Sequence, residues 1–397
     1  MIMKKIVCFL LAATLMMAVV PALALEARDI TAECTITVAS KSGLAKRLYD
    51  RDWNSYWSGD TGAKTVTIKS KEPMYGLYVG WTEAPRSWAL EQKVGGSWEK
   101  TVFEPAPFQH MYYPLEGVKE LRLKPEGKSK KWFGMEEIFV LGQGEVPAWV
   151  QQWQLPDSKC DLLVLFAHPD DETLFFAGAL PTYAGQLKMD VVAAVFSAGA
   201  RYRTSELLNS LWTMGVRNYP VIGPFHDKYS TRLESAYKEF GKAKTQRFAV
   251  ELYRKYKPDV VVSHDVKGEY GHGMHRLCAD LALYAFDAAA DAGKYKESAE
   301  AHGTWQVSKL YLHLYPENRV TMDWDQPLSA FGGRTGFEMA EEAYTHHRSQ
   351  HKYEQFKVEP RDSAYSSYDF GLARTMVGPD VLGNDFFENL DSRVTAP

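Results

Sequence analysis

Cysteine is scarce, with four in 397 residues. Cys8 lies in an N-terminal segment that reads as cleaved, which leaves Cys34, Cys160 and Cys278 and no Cys-x-x-Cys pair. An odd, unpaired set excludes a disulfide framework and a thiolate zinc knot. Cys278, three residues after His275, reads as a small core residue on a helix face rather than a ligand. Charge of one sign is lacking too: the net charge is −4 and no lysine–arginine block occurs, which argues against nucleic acid as a partner. Beyond Ile6–Val20 no long apolar run occurs. That run follows two lysines, is short for a membrane span, and leads into Pro21-Ala22-Leu23-Ala24, so residues 1–24 are assigned to a secretory signal peptide. The expected mature protein is secreted or at the cell surface, and not membrane-spanning. Repeats and low-complexity tracts are also missing.

Aromatics are plentiful, at 13% with 11 Trp and 22 Tyr. Most are expected in a β-rich core; exposed ones suit stacking on sugar rings. Residues 29–145 read as short β segments, among them Lys64–Ile68, Tyr75–Trp81, Trp88–Gln92, Lys119–Leu123 and Glu137–Leu141, with Gly/Pro/Lys-rich turns. This spacing predicts an all-β sandwich. After a linker at 142–156, strand-like and helix-like runs alternate: 161–167 then 173–185, 189–197 then 204–214, 232–256, 259–263, then 275–290. Continuous apolar strands alternating with helices predict a doubly wound, mostly parallel, Rossmann-like α/β domain over 157–360. Ser308–Tyr315 is expected to add a late strand, and 361–397 stay an unassigned C-terminal extension.

Three polar clusters follow predicted strands of this domain, where open α/β sheets collect ligands. The first is His168-Pro-Asp170-Asp171-Glu172, the second spans Ser197–Glu206, and the third runs from His264-Asp265 through Glu269-Tyr270-Gly271-His272-Gly273-Met274-His275. Metal hydrolases need three protein ligands and a nearby base. His168, Asp171 and one histidine of the third cluster meet the first need, and Asp170 the second. Either His272 or His275 can be that ligand, the other facing substrate. Against this, an Asp-Asp pair after a strand is ordinarily a helix start, His-x-x-His is often incidental, and Arg203 with Glu206 reads most simply as an i,i+3 surface ion pair.

Together these residues resemble the zinc-dependent de-N-acetylases of the PIG-L/LmbE-like family, from Asp161 to about Asp280 with a trace at His347-Arg348-Ser349-Gln350. The intact Ala-His-Pro-Asp-Asp-Glu motif is the most specific match. The resemblance implies Zn2+ held by His168, Asp171 and His275, with Asp170 as general base. It implies His272 as the oxyanion-stabilising acid, Tyr270 as an assisting hydroxyl, and Arg203 and Asp227 as sugar contacts. One position departs: Met274 stands where the family commonly has Asp between the histidines, and lost support of that kind commonly lowers metal affinity or activity about 10–100-fold. Glu172 is expected to support its neighbours or begin a helix. In the N-terminal part, Leu48–Trp57 with Met135–Gly142 resembles discoidin-type, galactose-binding-like sandwiches. That implies possible glycan binding and, at Asp50, Asp52 and Asn54, oxygens of the kind that hold structural Ca2+; a solvated turn explains them as well, so calcium is not assigned.

The expected activity is hydrolysis of the acetamide of N-acetylglucosamine-type glycans or glycoconjugates to free amine and acetate, with the sandwich tethering the enzyme to its polymer. The alternatives are a zinc hydrolase of another amide or ester, and a catalytically silent surface glycan-binding protein.

Overall fold

The computed structural model describes residues 25–59, 64–126 and 133–390. The expected signal peptide at 1–24 lies outside the described residues. No helix among the described residues is long and apolar enough to cross a membrane.

The first half is all β. Its strands are β1 (Thr35–Val38), β2 (Trp57–Ser58), β3 (Val66–Trp81), β4 (Trp88–Val94), β5 (Ser97–Phe103), β6 (His110–Pro125) and β7 (Gly134–Leu141). All pairs are antiparallel, in the order β2-β7-β3-β6-β4-β5, with β1 also on β3. Lys64–Ile68 and Tyr75–Trp81, expected as separate strands, belong to one long β3. Its register on β6 shifts between Lys69 and Gly76, so the strand bends instead of ending. Its first part pairs β1 and its last part β7. Ile68 and Leu121 before the bend share one hydrophobic cluster with Val79 and Ile138 beyond it, so the sheet folds over a common core. The Asp-rich turn caps itself: Asp50 Oδ1 accepts from Asp52 N (3.1 Å) and Asp52 Oδ1 from Asn54 N (3.1 Å).

The second half alternates. Its strands are β8 (Leu162–Phe166), β9 (Val191–Val195), β10 (Val221–Ile222), β11 (Val260–Ser263), β12 (Lys309–His313), β13 (Arg319–Thr321) and β14 (Asp369–Thr375). The helices are α1 (Asp171–Leu174), α2 (Arg201–Thr213), α3 (Leu233–Phe240), α4 (Lys242–Tyr256), α5 (Gly273–Ala288), α6 (Lys296–His302) and α7 (Gly336–Tyr344). The sheet order is β10-β9-β8-β11-β12-β14-β13, with β10 to β12 parallel and the β14 pairings antiparallel. Every residue of β8 is buried, and its side chains divide between two clusters, Leu162, Val164 and Phe166 on one face, Leu163 and Leu165 on the other. This is the two-faced burial that continuous apolar runs predict. Strand order reverses between β8 and β11, so the chain leaves those adjacent strands in a crevice.

Several elements differ from expectation. The helix expected over 173–185 breaks after α1 and resumes as a short, wide helix at Pro181–Gln186, with Pro181 at its start, where a missing N–H is tolerated. Residues 232–256 are two helices, parted at Gly241 with φ +83°. The linker is packed: Val150 and Trp153 are buried. The unassigned extension supplies β14, and its Phe386 lies in the core beside Tyr183.

Candidate active site

The turn after β8 carries the first cluster. His168, Asp170, Asp171 and Glu172 are all buried, and Asp170 has φ +117°, a strained value for a residue with a Cβ. Its amide is held by Glu172 Oε2 (2.7 Å), while Asp171 Oδ2 accepts from His168 N (2.7 Å). Glu172 Oε1 also meets Ser210 Oγ (2.7 Å) and His347 Nε2 (2.6 Å), so this carboxylate supports the turn as expected.

The third cluster meets it from β11 and α5. His168 Nδ1 lies 3.3 Å from Asp171 Oδ2, and His275 Nε2 lies 3.4 Å from Asp171 Oδ1. Two overlapping trios have ligand atoms within 4.8 Å of one another, His168–His272–His275 and Asp171–His264–His275. The set expected from sequence draws on both. In the second trio, His264 is already engaged at both nitrogens, Nδ1 with Glu269 Oε2 (2.8 Å) and Nε2 near Ala167 N (3.0 Å) and Asp171 Oδ2 (3.3 Å). With Nε2 accepting from Ala167 N, it offers no free lone pair. His168 Nε2 faces Met274 Sδ (3.3 Å) and Asp227 Oδ1 (3.6 Å), while Nδ1 turns toward Asp171. His275 gives Nδ1 to Glu269 Oε2 (2.9 Å), which leaves Nε2. His168, Asp171 and His275 thus bring two imidazoles and a carboxylate to one place, donors of the kind that hold a divalent transition metal. Met274, fully buried, meets His168 as a weak thioether acceptor.

The adjacent carboxyls are pushed apart. Burial, against the pull of Arg203 and with Asp171 adding to it, raises the pKa of Asp170 to about 7. Asp171 is buried as well, yet His275 and His264 hold it well below the usual carboxylate range. Such a split separates a proton carrier from a permanently charged neighbour. His272 caps α5: its Nδ1 accepts from Met274 N (3.2 Å), which puts the neutral ring's proton on Nε2. Burial, with His168 and His275 nearby, lowers its pKa to about 2.

Arg203 and Glu206 do not pair with each other. Arg203 Nη2 lies 3.2 Å from Asp170 Oδ1 and Nη1 3.9 Å from Asp227 Oδ2, while Glu206 accepts from Ser349 N (2.8 Å) and Oγ (2.7 Å). The family trace at 347–350 is thus packed against the same site. Tyr270 lies at the pocket with φ +52°, and its hydroxyl donates to Glu359 Oε1. A cavity of about 510 Å3 opens over these residues, within the range of small-molecule sites. Tyr229, Tyr353 and Phe356 give it aromatic walls.

Sequence reasoning passed over Glu269. Fully buried, it accepts from three imidazoles, His264 and His275 at Oε2 and His313 at Oε1 (2.6 Å). The signal was there as an acidic residue inside a histidine cluster, but His313 lies 44 residues away. Glu359 and Tyr229 carried no such signal.

Fold and site together define a Rossmann-like α/β domain with a histidine–carboxylate centre at its topological switch point. Residues 163–286 carry a PIG-L family domain, the match being to GlcNAc-PI de-N-acetylase. The chain is similar to a 1D-myo-inositol 2-acetamido-2-deoxy-alpha-D-glucopyranoside deacetylase of Frankia casuarinae, 28% identical over 42% of this chain and 64% of that protein. A protein of that name from Geodermatophilus obscurus is 27% identical over 44% and 68%. The chain therefore spans just under two thirds of the Frankia relative. Among solved structures, the N,N'-diacetylchitobiose deacetylase of Pyrococcus horikoshii matches 50% of this chain and 74% of that one, at 16% identity and TM-score 0.36. An F5/8 type C domain from Bacteroides fragilis covers 30% of this chain and 96% of its own, at 18% identity and TM-score 0.26.

Proposed function

We propose that this chain is an exported, zinc-dependent de-N-acetylase that hydrolyses the acetamide of N-acetylglucosamine-type glycans or glycoconjugates to amine and acetate. The observation that carries this reading is the meeting, in one pocket, of a His168–Asp171–His275 donor set with the buried carboxyl of Asp170. A divalent ion held by those three residues supplies a Lewis acid for the carbonyl and acidifies water, and this set suits zinc.

The chain's own groups do the rest. Asp170 takes the proton of the attacking water, with Arg203 at 3.2 Å steadying its anion, and returns the proton to the leaving nitrogen. His272 Nε2–H donates to the oxygen on which charge develops. Arg203 and Asp227 line the pocket as polar contacts for sugar hydroxyls, beside the aromatic walls. Relatives named as deacetylases of an acetamidoglucopyranoside support the substrate class. Export rests on the leader-like pattern of Met1–Ala24.

The test is acetate release from a panel of N-acetylated glycans, with zinc added and with a chelator. Chelator-sensitive acetate upholds the reading. Turnover of unrelated amides or esters only replaces the substrate class, and stoichiometric zinc without any turnover replaces the enzyme with a silent binding protein.

A further inference from the structure

Helix α2 presents two polar faces. Arg201, Ser205 and Asn209 recur at four-residue spacing and share one side; Arg203, Glu206 and Ser210 share another, roughly a third of a turn away. The second side serves the active site, through Arg203 to Asp170, Glu206 to Ser349, and Ser210 to Glu172. The first is polar, yet Ser205 is fully buried and Asn209 nearly so.

What buries it is the N-terminal sheet. Glu136 of β7, itself fully buried, pairs with Arg201 and accepts from Ser205 Oγ. Gln109 Nε2 donates to Ser205 Oγ (2.9 Å), and Gln109 N donates to Tyr219 OH (3.2 Å). His110 reaches the helix through Gln151, whose Oε1 lies 2.9 Å from His110 Nδ1 and whose Nε2 donates to Asn209 Oδ1 (2.6 Å). Trp212 Nε1 closes the row on Ala148 O (2.8 Å). A buried carboxylate with an arginine and a hydroxyl on it fixes a geometry more than it adds stability.

We infer that the N-terminal sheet is part of the active site's frame, with Glu136 as a positioning residue that sets the first turn of α2 and so aims Arg203 at Asp170. This rests on the reading of Arg203 as a substrate and proton-site contact. It differs from a tether to polymer, since a tether needs no buried charge on the catalytic helix.

The experiment uses the full chain with Glu136→Gln, which keeps shape and removes charge. The expected result is a loss of kcat/KM of about 10- to 100-fold on soluble short substrates. In an Arg203→Ala background, Glu136→Gln should have no further effect, because one residue acts through the other. Ile68→Val, in the sheet's core and away from α2, is the control: it should lower Tm and leave kcat/KM unchanged. Full activity in Glu136→Gln, or additive losses in the double variant, overturns the inference. So does an equal loss in Ile68→Val. Hydrogen exchange supplies a readout apart from turnover. If no glycan yields acetate, the functional reading falls, while faster exchange confined to amides 201–206 in Glu136→Gln still upholds the positioning, and unchanged exchange overturns it.

Discussion

Glu269 Oε2 accepts from His275 Nδ1 at 2.9 Å and from His264 Nδ1 at 2.8 Å, so one carboxylate oxygen sets the tautomer of a candidate metal ligand and of the imidazole beside Asp171. With Oε1 on His313, three rings at the ends of two strands and on one helix share a single anchor.

Replacing that anchor should show first in metal affinity. Glu269→Gln retains size but cannot accept from three donors at once, and zinc binding is expected to weaken about 10–100-fold. Competition against a chromophoric chelator measures it. Unchanged affinity would mean that Glu269 serves only packing.

Asp170→Asn separates proton transfer from metal binding. The amide cannot carry the proton, so kcat should fall about 10²–10⁴-fold while one metal per chain remains bound. Acetate assays with metal analysis on the same sample give both numbers. Near-normal turnover rules Asp170 out as the base.

A third expectation concerns acid stability. Burial holds His110 neutral, with its pKa lowered to about 3 from 6.5. Below pH 6.5 the unfolded chain takes up a proton that the folded chain refuses until about pH 3. Unfolding free energy should therefore fall with falling pH, by up to about 1.4 kcal/mol per unit from this group. His110→Gln should flatten part of that slope in denaturant titrations between pH 7 and 5, the difference from wild type isolating this histidine. Parallel slopes would exclude it.

Phe386 tests the tail. It is fully buried, against Tyr183, Tyr311 and Phe370. Phe386→Ala should lower stability by about 3–5 kcal/mol. Chemical denaturation reads this directly, and a loss under 1 kcal/mol would show the tail to be dispensable.

Much of the second half was legible because its signals are local. The runs at 161, 189 and 259 became β8, β9 and β11, and the motif after β8 lies where a strand exit in such a sheet places it. What was missed is non-local. β3 reads as two strands because a bend at irregular register looks like a turn. β14 (DFGLART) has weak alternation and earns its place only by pairing with β12 and β13. Glu269 looks like any surface acid until His313, 44 residues on, closes on it beside its two neighbouring histidines. The polar row Arg201–Ser205–Asn209 resembles a wet helix face because the sheet that dries it is encoded about seventy residues earlier.

The place of β14 also orders events during synthesis. β12 is complete at residue 313, yet the partner on its open side comes from residues 369–375. Until that stretch emerges, the nascent sheet ends in bare amides and carbonyls of a fully buried strand, an edge to which another chain can add. The residues of β8 and β11 that frame the crevice are synthesised well before this, so the catalytic groups leave the ribosome while that edge still lacks its partner. A chain stalled or clipped ahead of residue 369 would carry the whole motif set and still be a seed for aggregation.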